Sequence, residues 1–95
     1  MLSPSLLVLA SLADSEKHGY AMMQDIRAFA NVDLGAGTLY GAISRLEQQG
    51  LIEPLRADDR RKPYRLTQSG RKLLAAQIAE LEPVVRTTAR RLRTA

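Results

Sequence analysis

The sequence contains no cysteine, no tryptophan and only one histidine. Without cysteine the chain can form no disulfide, no thiolate metal site and no thiol nucleophile. The single histidine, His18, is too little for a histidine-based metal or catalytic site, and no serine is placed with a base and an orienting acid. We therefore expect neither an enzyme nor a protein with a bound metal or cofactor.

Long apolar runs are also missing. The longest, from Leu6 to Ala10, is far below the ~20 residues that an apolar helix needs to cross a bilayer. No positively charged segment precedes this run, as one would in a signal peptide. The sequence thus predicts a cytoplasmic protein without a membrane-spanning segment.

The chain is short and basic, and its charge is unevenly distributed. Its 95 residues carry a net charge of +4. A domain of this size buries only about 60% of the surface that its unfolded chain exposes, so a core shared with a second chain would add stability. Residues 1–44 have a net charge of −2, residues 45–72 of +4 and residues 73–95 of +2. The basic middle segment fits contact with a polyanion such as nucleic acid, and it fits a solvated charged surface equally well.

Apolar spacing predicts three helices in the first half of the chain. Ser3 and Pro4 are a typical N-cap and first helical residue. The leucines that follow are apolar on most sides of the helix, which predicts wide burial, in part against a second chain. The second helix is predicted over residues 19–30 and the third over residues 36–49, where Gly50 ends it. His18 is expected to be exposed to solvent in the turn before the second helix, with a pH-sensitive phosphate contact or a ligand role as the alternative.

The second half of the chain predicts a short ribbon and one long helix. Residues 51–56 and 63–66 are predicted strands whose prolines favour edge positions. Thr67 is expected to cap a last helix that reaches about residue 93. Pro83 predicts a kink in this helix, with a break into two helices as the alternative.

One face of the last helix recurs in alternating steps of four and three residues, the spacing of a coiled-coil seam. Its members are Leu74, Ile78, Leu81, Val85, Thr88 and Leu92. Such a seam either packs against a second copy or folds back on its own domain, and we favour the second copy. With two residues of the first helix, the predicted dimer interface is Leu6, Leu9, Leu74, Ile78, Leu81, Val85 and Leu92.

The order of elements predicts a mainly α fold of the winged helix-turn-helix type. Three helices and a two-stranded wing, residues 1–66, would form the DNA-binding domain, and residues 67–95 the C-terminal dimerisation helix. In such folds the third helix enters the major groove and the turn of the wing touches the flanking backbone or the minor groove.

The third helix has an outer face of small side chains. At about 100° per residue, Leu39, Ile43 and Leu46 face the core. Glycine inside a helix costs roughly 1 kcal/mol relative to alanine, so Gly37 and Gly41 on one face indicate close approach to another surface. That surface is a DNA groove wall or, as the alternative, a partner helix. The side chains predicted to contact bases are Thr38, Ser44 and Gln48, and those predicted to contact phosphates are Tyr40 and Arg45.

Two further groups are candidates for contact with the DNA backbone. Arg60, Arg61 and Lys62 form a basic turn that can grip phosphates or enter a narrow minor groove, although such turns also serve only to solubilise a hairpin. Tyr20 begins the second helix, where free N–H groups favour phosphate. A core position with its hydroxyl at the surface is an equal alternative for Tyr20.

Several short motifs, taken together, resemble the PadR family of bacterial transcriptional regulators. They are His18-Gly19-Tyr20, Gly37-Thr38-Leu39-Tyr40, Arg45-Leu46-Glu47, Gly50-Leu51-Ile52, and Tyr64-Arg65-Leu66-Thr67 followed by Gly70. The series extends over most of the chain and is specific in combination.

The resemblance implies a homodimer that binds double-stranded DNA, most often as a repressor, and that dimerises through its C-terminal helix. The family's DNA-facing positions correspond here to Tyr20, Thr38, Tyr40 and Arg45, with the cations of the wing. Many members lose DNA affinity when a small ligand binds, which implies a small aromatic effector. The seam here is aliphatic, so a regulator without an effector is the alternative.

The predicted function is therefore sequence-specific transcriptional regulation at a near-palindromic operator. The alternative is a winged-helix module for protein–protein interaction that does not bind DNA. The near-neutral N-terminal half and the small-residue face of the third helix are compatible with this alternative.

Overall fold

The structure, a computed structural model, describes residues 2–55 and 62–94 of the chain. Its elements follow in the order α1 (Pro4–Ser11), α2 (Gly19–Ala30), α3 (Ala36–Gln48), β1 (Ile52–Pro54), β2 (Tyr64–Leu66) and α4 (Gln68–Thr94). This confirms the predicted mainly α architecture with a two-stranded wing. None of the helices described is long and apolar enough to cross a membrane.

The helix ends follow the local sequence. The Ser3 side chain accepts a hydrogen bond from the Leu6 amide at 3.1 Å, which caps α1, and Pro4 follows as the first helical residue. Gly35 occupies the N-cap of α3 without a side-chain hydrogen bond. Gly50 adopts a positive φ of 74° after the end of α3, a conformation that glycine enters without a steric penalty.

The hydrophobic core joins α1, α2, α3, the wing and the start of α4. Helix α1 lies at its centre, because it packs against all three other helices. The predicted core stripe of α3 is confirmed, since Leu39, Ile43 and Leu46 are each no more than 2% exposed. The remaining core side chains are Leu7, Val8, Leu9, Leu12, Met22, Ile26, Ala42, Ile52, Tyr64, Leu66 and Leu74.

Both strands of the wing begin one residue later than the sequence predicted. Strand β1 begins at Ile52 and β2 at Tyr64, and they pair in antiparallel register with Ile52 opposite Leu66. The predicted end of the first strand, Arg56, lies outside the described residues. Tyr64 and Leu66 face the core and Arg65 faces solvent, which confirms the predicted alternation. Lys17 adds a third segment that the sequence did not reveal, because its backbone exchanges two hydrogen bonds of 3.0–3.1 Å with Tyr64.

The first turns of α4 are clamped to the corner between α3 and β1. The Thr67 hydroxyl accepts a hydrogen bond from the Gly70 amide at 3.0 Å and donates one to the Gly50 carbonyl at 2.6 Å. This confirms Thr67 as the cap of the last helix. A Cβ at Gly70 would lie 2.9 Å from the carbonyl carbon of Leu51 and still closer to its oxygen. Only glycine permits this approach.

Beyond Leu74 the helix leaves the core. Helix α4 continues through Pro83 to Thr94 as one element, so the alternative of two separate helices is wrong. Its apolar side chains on this stretch are largely exposed, from 43% for Leu81 to 73% for Leu92. The N-terminal part of α4 thus belongs to the domain core, and its C-terminal part presents an apolar stripe to solvent.

Candidate DNA-binding surface

Helix α3 has one buried and one exposed face. Packing of Leu39, Ala42, Ile43 and Leu46 in the core turns the opposite side of the helix outward. All six residues of α3 predicted to contact DNA lie on the exposed side: Gly37, Thr38, Tyr40, Ser44, Arg45 and Gln48. The structure therefore brings them together on one surface, as a helical period of about 3.6 residues requires.

The two glycines of this face differ in their surroundings. A Cβ at Gly37 would have no atom within 4 Å, so this part of the face is open. A Cβ at Gly41 would lie 3.5 Å from Nη1 of Arg45, because the guanidinium lies back along the helix over this position. The open strip of small residues is thus shorter than the sequence suggested, and it is bordered by a cation.

Arg45 is the cation that α3 itself offers to a polyanion. Among residues 2–55 and 62–94, no carboxylate forms an ion pair with its guanidinium. In contrast, Arg27 of α2 is held 2.9 Å from Asp33, and Arg65 of β2 is held 2.9 Å from Glu53. A guanidinium without a carboxylate partner keeps its donors available for phosphate.

Tyr40 lies across the start of α2. A Cβ at Gly19 would lie 2.6 Å from Cζ of the Tyr40 ring and nearer still to its hydroxyl. The ring therefore rests on the backbone of Gly19, while 49% of Tyr40 remains exposed. This contact joins α3 to the N-terminus of α2, and nothing in the spacing of the sequence revealed it.

The N-terminal turn of α2 carries two of the residues singled out from the sequence. His18 is its N-cap rather than a freely exposed side chain, because Nδ1 accepts a hydrogen bond from the Ala21 amide at 3.2 Å. Tyr20 is 57% exposed, so it is not the core aromatic of the alternative interpretation.

The base of the wing approaches the same region. Burial raises the pKa of Tyr64, and the nearby Glu47 carboxylate and Tyr40 phenol raise it further. Tyr64 therefore stays neutral at physiological pH and adds no negative charge beside Tyr40. Lys62 lies at the start of the returning wing segment, whereas the predicted contacts Arg60 and Arg61 lie outside the described residues.

The predicted dimer interface divides into two groups. Leu9 and Leu74 are 2% and 9% exposed in the core of their own chain, so the structure corrects their assignment because they have almost no surface left for a partner. A hollow of about 260 Å³ between α1 and α4 is lined by Leu6 and Leu81, together with Ser3, Gln77 and Glu80. A second hollow, apolar and of about 330 Å³, lies on α4 and is lined by Ile78, Leu81 and Val85.

The chain is similar to known transcriptional regulators over most of its length. The model of the transcriptional regulator PadR-like family matches residues 8–76. A 37.1 kDa protein in transposon TN4556 of Streptomyces fradiae is 46% identical over 69 residues, which are 73% of this chain and 20% of that protein. The chain thus spans about a fifth of the length of this relative.

Solved structures of regulators share the fold. A PadR family transcription regulator from Clostridium difficile R20291 superposes with a TM-score of 0.80 at 24% identity, covering 94% of this chain and 97% of that one. A transcriptional regulator from Clostridium thermocellum superposes with a TM-score of 0.76 at 27% identity, covering 90% and 89%. The motifs, the fold and the family match agree, and the chain therefore belongs to the PadR-like family of DNA-binding transcriptional regulators.

Proposed function

We propose that this protein is a cytoplasmic, homodimeric repressor that binds a near-palindromic operator through the exposed face of α3. The observation that carries the proposal is the composition of that face: small or hydrogen-bonding side chains around an Arg45 without an ion-pair partner in the described chain. Small side chains let a helix sit deep in the major groove, where base edges carry a distinct pattern of donors and acceptors.

The residues of the surface divide into two roles. Thr38, Ser44 and Gln48 supply the hydrogen-bonding groups that reach base edges. Arg45 and Tyr40 flank them and contact phosphates, with Tyr20 and the basic turn of the wing on either side. Because few side chains read bases, affinity in this proposal depends chiefly on the backbone contacts and therefore on salt.

The exposed stripe of α4 supports a dimer. Ile78, Leu81, Val85 and Leu92 lie along one side of the helix and are 43–73% exposed, and soluble monomers rarely leave such a continuous apolar surface in water. Packing of this stripe on a second copy covers it. Two α3 helices related by a two-fold axis then reach successive major grooves, ~34 Å apart.

A small-molecule effector is a secondary part of the proposed function. The two hollows beside α4 are lined by aliphatic and polar side chains, with no aromatic residue among them. They offer no ring on which a flat aromatic compound would stack. Release of DNA by a screen of phenolic compounds would support an effector, and a regulator insensitive to all of them would support the alternative without one.

The experiment that tests the proposal is a titration of the protein into DNA upstream of its own gene, at several salt concentrations. We expect preference for an inverted repeat over a scrambled duplex, and a log–log salt slope of about −0.9 per phosphate contact. Equal affinity for every duplex, or binding independent of salt, would contradict sequence-specific recognition.

Two variants sharpen this titration. Arg45→Ala should weaken binding and reduce the magnitude of the salt slope by about 0.9, because one phosphate contact is lost. The matched control, Arg93→Ala, removes one cation from the C-terminal end of α4 and should leave the slope unchanged.

Alanine at Arg60, Arg61 and Lys62 together tests the wing. Unchanged DNA binding in this triple variant would remove the wing from the interface. A wild-type protein that binds no DNA would instead favour the protein-interaction module.

A further inference from the structure

We propose that Gly19 is a positioning residue for DNA recognition, because its lack of a side chain leaves the space in which the Tyr40 phenol packs against the first turn of α2. The inference rests on the proposed function only in that Tyr40 is taken to contact DNA. The contact itself is a feature of the fold. A Cβ at position 19 would lie 2.6 Å from Cζ and 2.8 Å from Cε1 of Tyr40, well inside van der Waals contact.

An added methyl group must displace one of the two partners. The backbone of α2 cannot yield easily, because Met22 and Ile26 are completely buried and the Ala21 amide is held by His18 at 3.2 Å. Tyr40 can yield, because the atoms that the new Cβ would meet lie at the far end of its side chain and 49% of the residue is exposed. Substitution at Gly19 therefore moves Tyr40 and leaves the core in place.

The position of Gly19 makes the fold tolerant of the change itself. It is the first residue of α2, and alanine has a higher helix propensity than glycine. The cost of Gly19→Ala should thus appear in DNA affinity and hardly in stability. Gly70 is the opposite case, since the atoms that a Cβ would meet there belong to the backbone of Leu51 and cannot swing away.

A double-mutant cycle tests the inference. We expect Tyr40→Ala to weaken binding of the upstream DNA about tenfold, the value of one hydrogen bond to a charged group. Gly19→Ala should weaken it by a similar factor, and the two changes together by no more than Tyr40→Ala alone. Melting temperatures of all variants are measured beside the affinities, so that a loss of DNA affinity is separated from a loss of stability.

A second readout needs no DNA. Nuclear Overhauser contacts between the Gly19 α-protons and the Tyr40 ring should be present in the wild type, and the Tyr40 ring signals should shift in Gly19→Ala while core signals do not. Absence of these contacts in the wild type would overturn the inference whatever the DNA affinities are.

The remaining outcomes separate the inference from the proposed function. If Gly19→Ala weakens DNA binding by the same factor in the wild type and in Tyr40→Ala, the effect arises in α2 itself. That result would overturn the positioning role, while the proposed DNA binding stands. An unchanged affinity in Gly19→Ala would overturn it too. Full affinity in Tyr40→Ala, with the Overhauser contacts present, would instead contradict the assignment of Tyr40 to the DNA surface, and the positioning role with it.

Discussion

Helices α1 and α4 are both rich in apolar residues, but they bury them differently. In α1 the side chains of Leu7, Val8 and Leu9 are each no more than 2% exposed, all within the chain's own core. In the 27 residues of α4, only Gly70 and Leu74 are buried. The apolar excess of α1 is therefore explained by the monomer fold. The apolar excess of α4 is not explained by the monomer fold. Of the two helices, only α4 therefore supports contact with a second chain.

The first prediction concerns the buried side of this comparison. Leu7→Ala should lower the free energy of unfolding by about 2–5 kcal/mol, because the core around this buried side chain of α1 cannot collapse into the cavity. Urea denaturation followed by circular dichroism measures the change. Leu73→Ala removes the same atoms from a position of α4 that is 37% exposed and should cost far less. Equal costs would show that α1 and α4 do not differ in how they bury their apolar side chains.

The second prediction concerns the exposed side. Leu81→Asp should weaken dimerisation more than about 100-fold, since an ionised carboxylate would be buried in an apolar interface without a partner. Analytical ultracentrifugation at micromolar concentration checks this, with Leu73→Asp as the control outside the stripe. The domain should stay folded. A wild-type protein that is monomeric under these conditions would refute the role given to α4.

The third prediction concerns the point where α4 passes from one environment to the other. Gly70→Ala should destabilise the fold by about 1–3 kcal/mol, as overpacking does, because the new methyl would collide with the Leu51 backbone. Gly37→Ala places the same methyl in open space on α3 and should stabilise the helix by up to about 1 kcal/mol. Thermal melts of both variants would give shifts of opposite sign. A neutral Gly70→Ala would mean that the clamp between α4 and β1 can open without loss.

The smallest expected effect lies just beyond the C-terminal end of α1. The Lys17 ammonium, 2.7 Å from Asp14, holds the pKa of that carboxyl below its ordinary 3.8. A lowered pKa in the folded state contributes stability above the unfolded value and loses it as the pH falls through the folded value. The gain is small because the carboxylate is solvent-exposed.

Melting temperatures at pH 7 and pH 3 test this linkage. The wild type should lose slightly more stability between the two than Asp14→Asn, which cannot titrate at that position. Glu16→Gln serves as the control from the same turn. An identical loss in the wild type and in Asp14→Asn would show that the ion pair does not persist in solution.

Much of the fold was predictable because local signals and the core agree. The N-cap of α1, the stripe of Leu39, Ile43 and Leu46, and the stop at Gly50 each follow from spacing or from the conformational preference of one residue. The ends of the wing were less predictable, because short strands at an edge are fixed by pairing rather than by propensity. The pairing of Lys17 with Tyr64 is a long-range contact that no local pattern encodes.

The candidate site was predictable in outline for the same reason. Helical periodicity alone places Thr38, Ser44 and Arg45 on the side opposite the core. The sequence could not show that Arg45 lies over Gly41, or that Tyr40 rests on Gly19, because both depend on where side chains settle after the helices pack. It also assigned Leu9 to a dimer interface, since an apolar helix looks the same whether its own chain or a partner covers it.

By itself, the sequence determined which residues form helices, which face of each helix is apolar, and which family the motifs resemble. These properties depend on residues three or four apart and on the preferences of single residues such as Gly50. Tertiary structure decided which apolar faces are already covered, which glycine is irreplaceable, and how α2 and α3 meet at Gly19. Those outcomes depend on the distances between elements remote in sequence, which only the packed chain fixes.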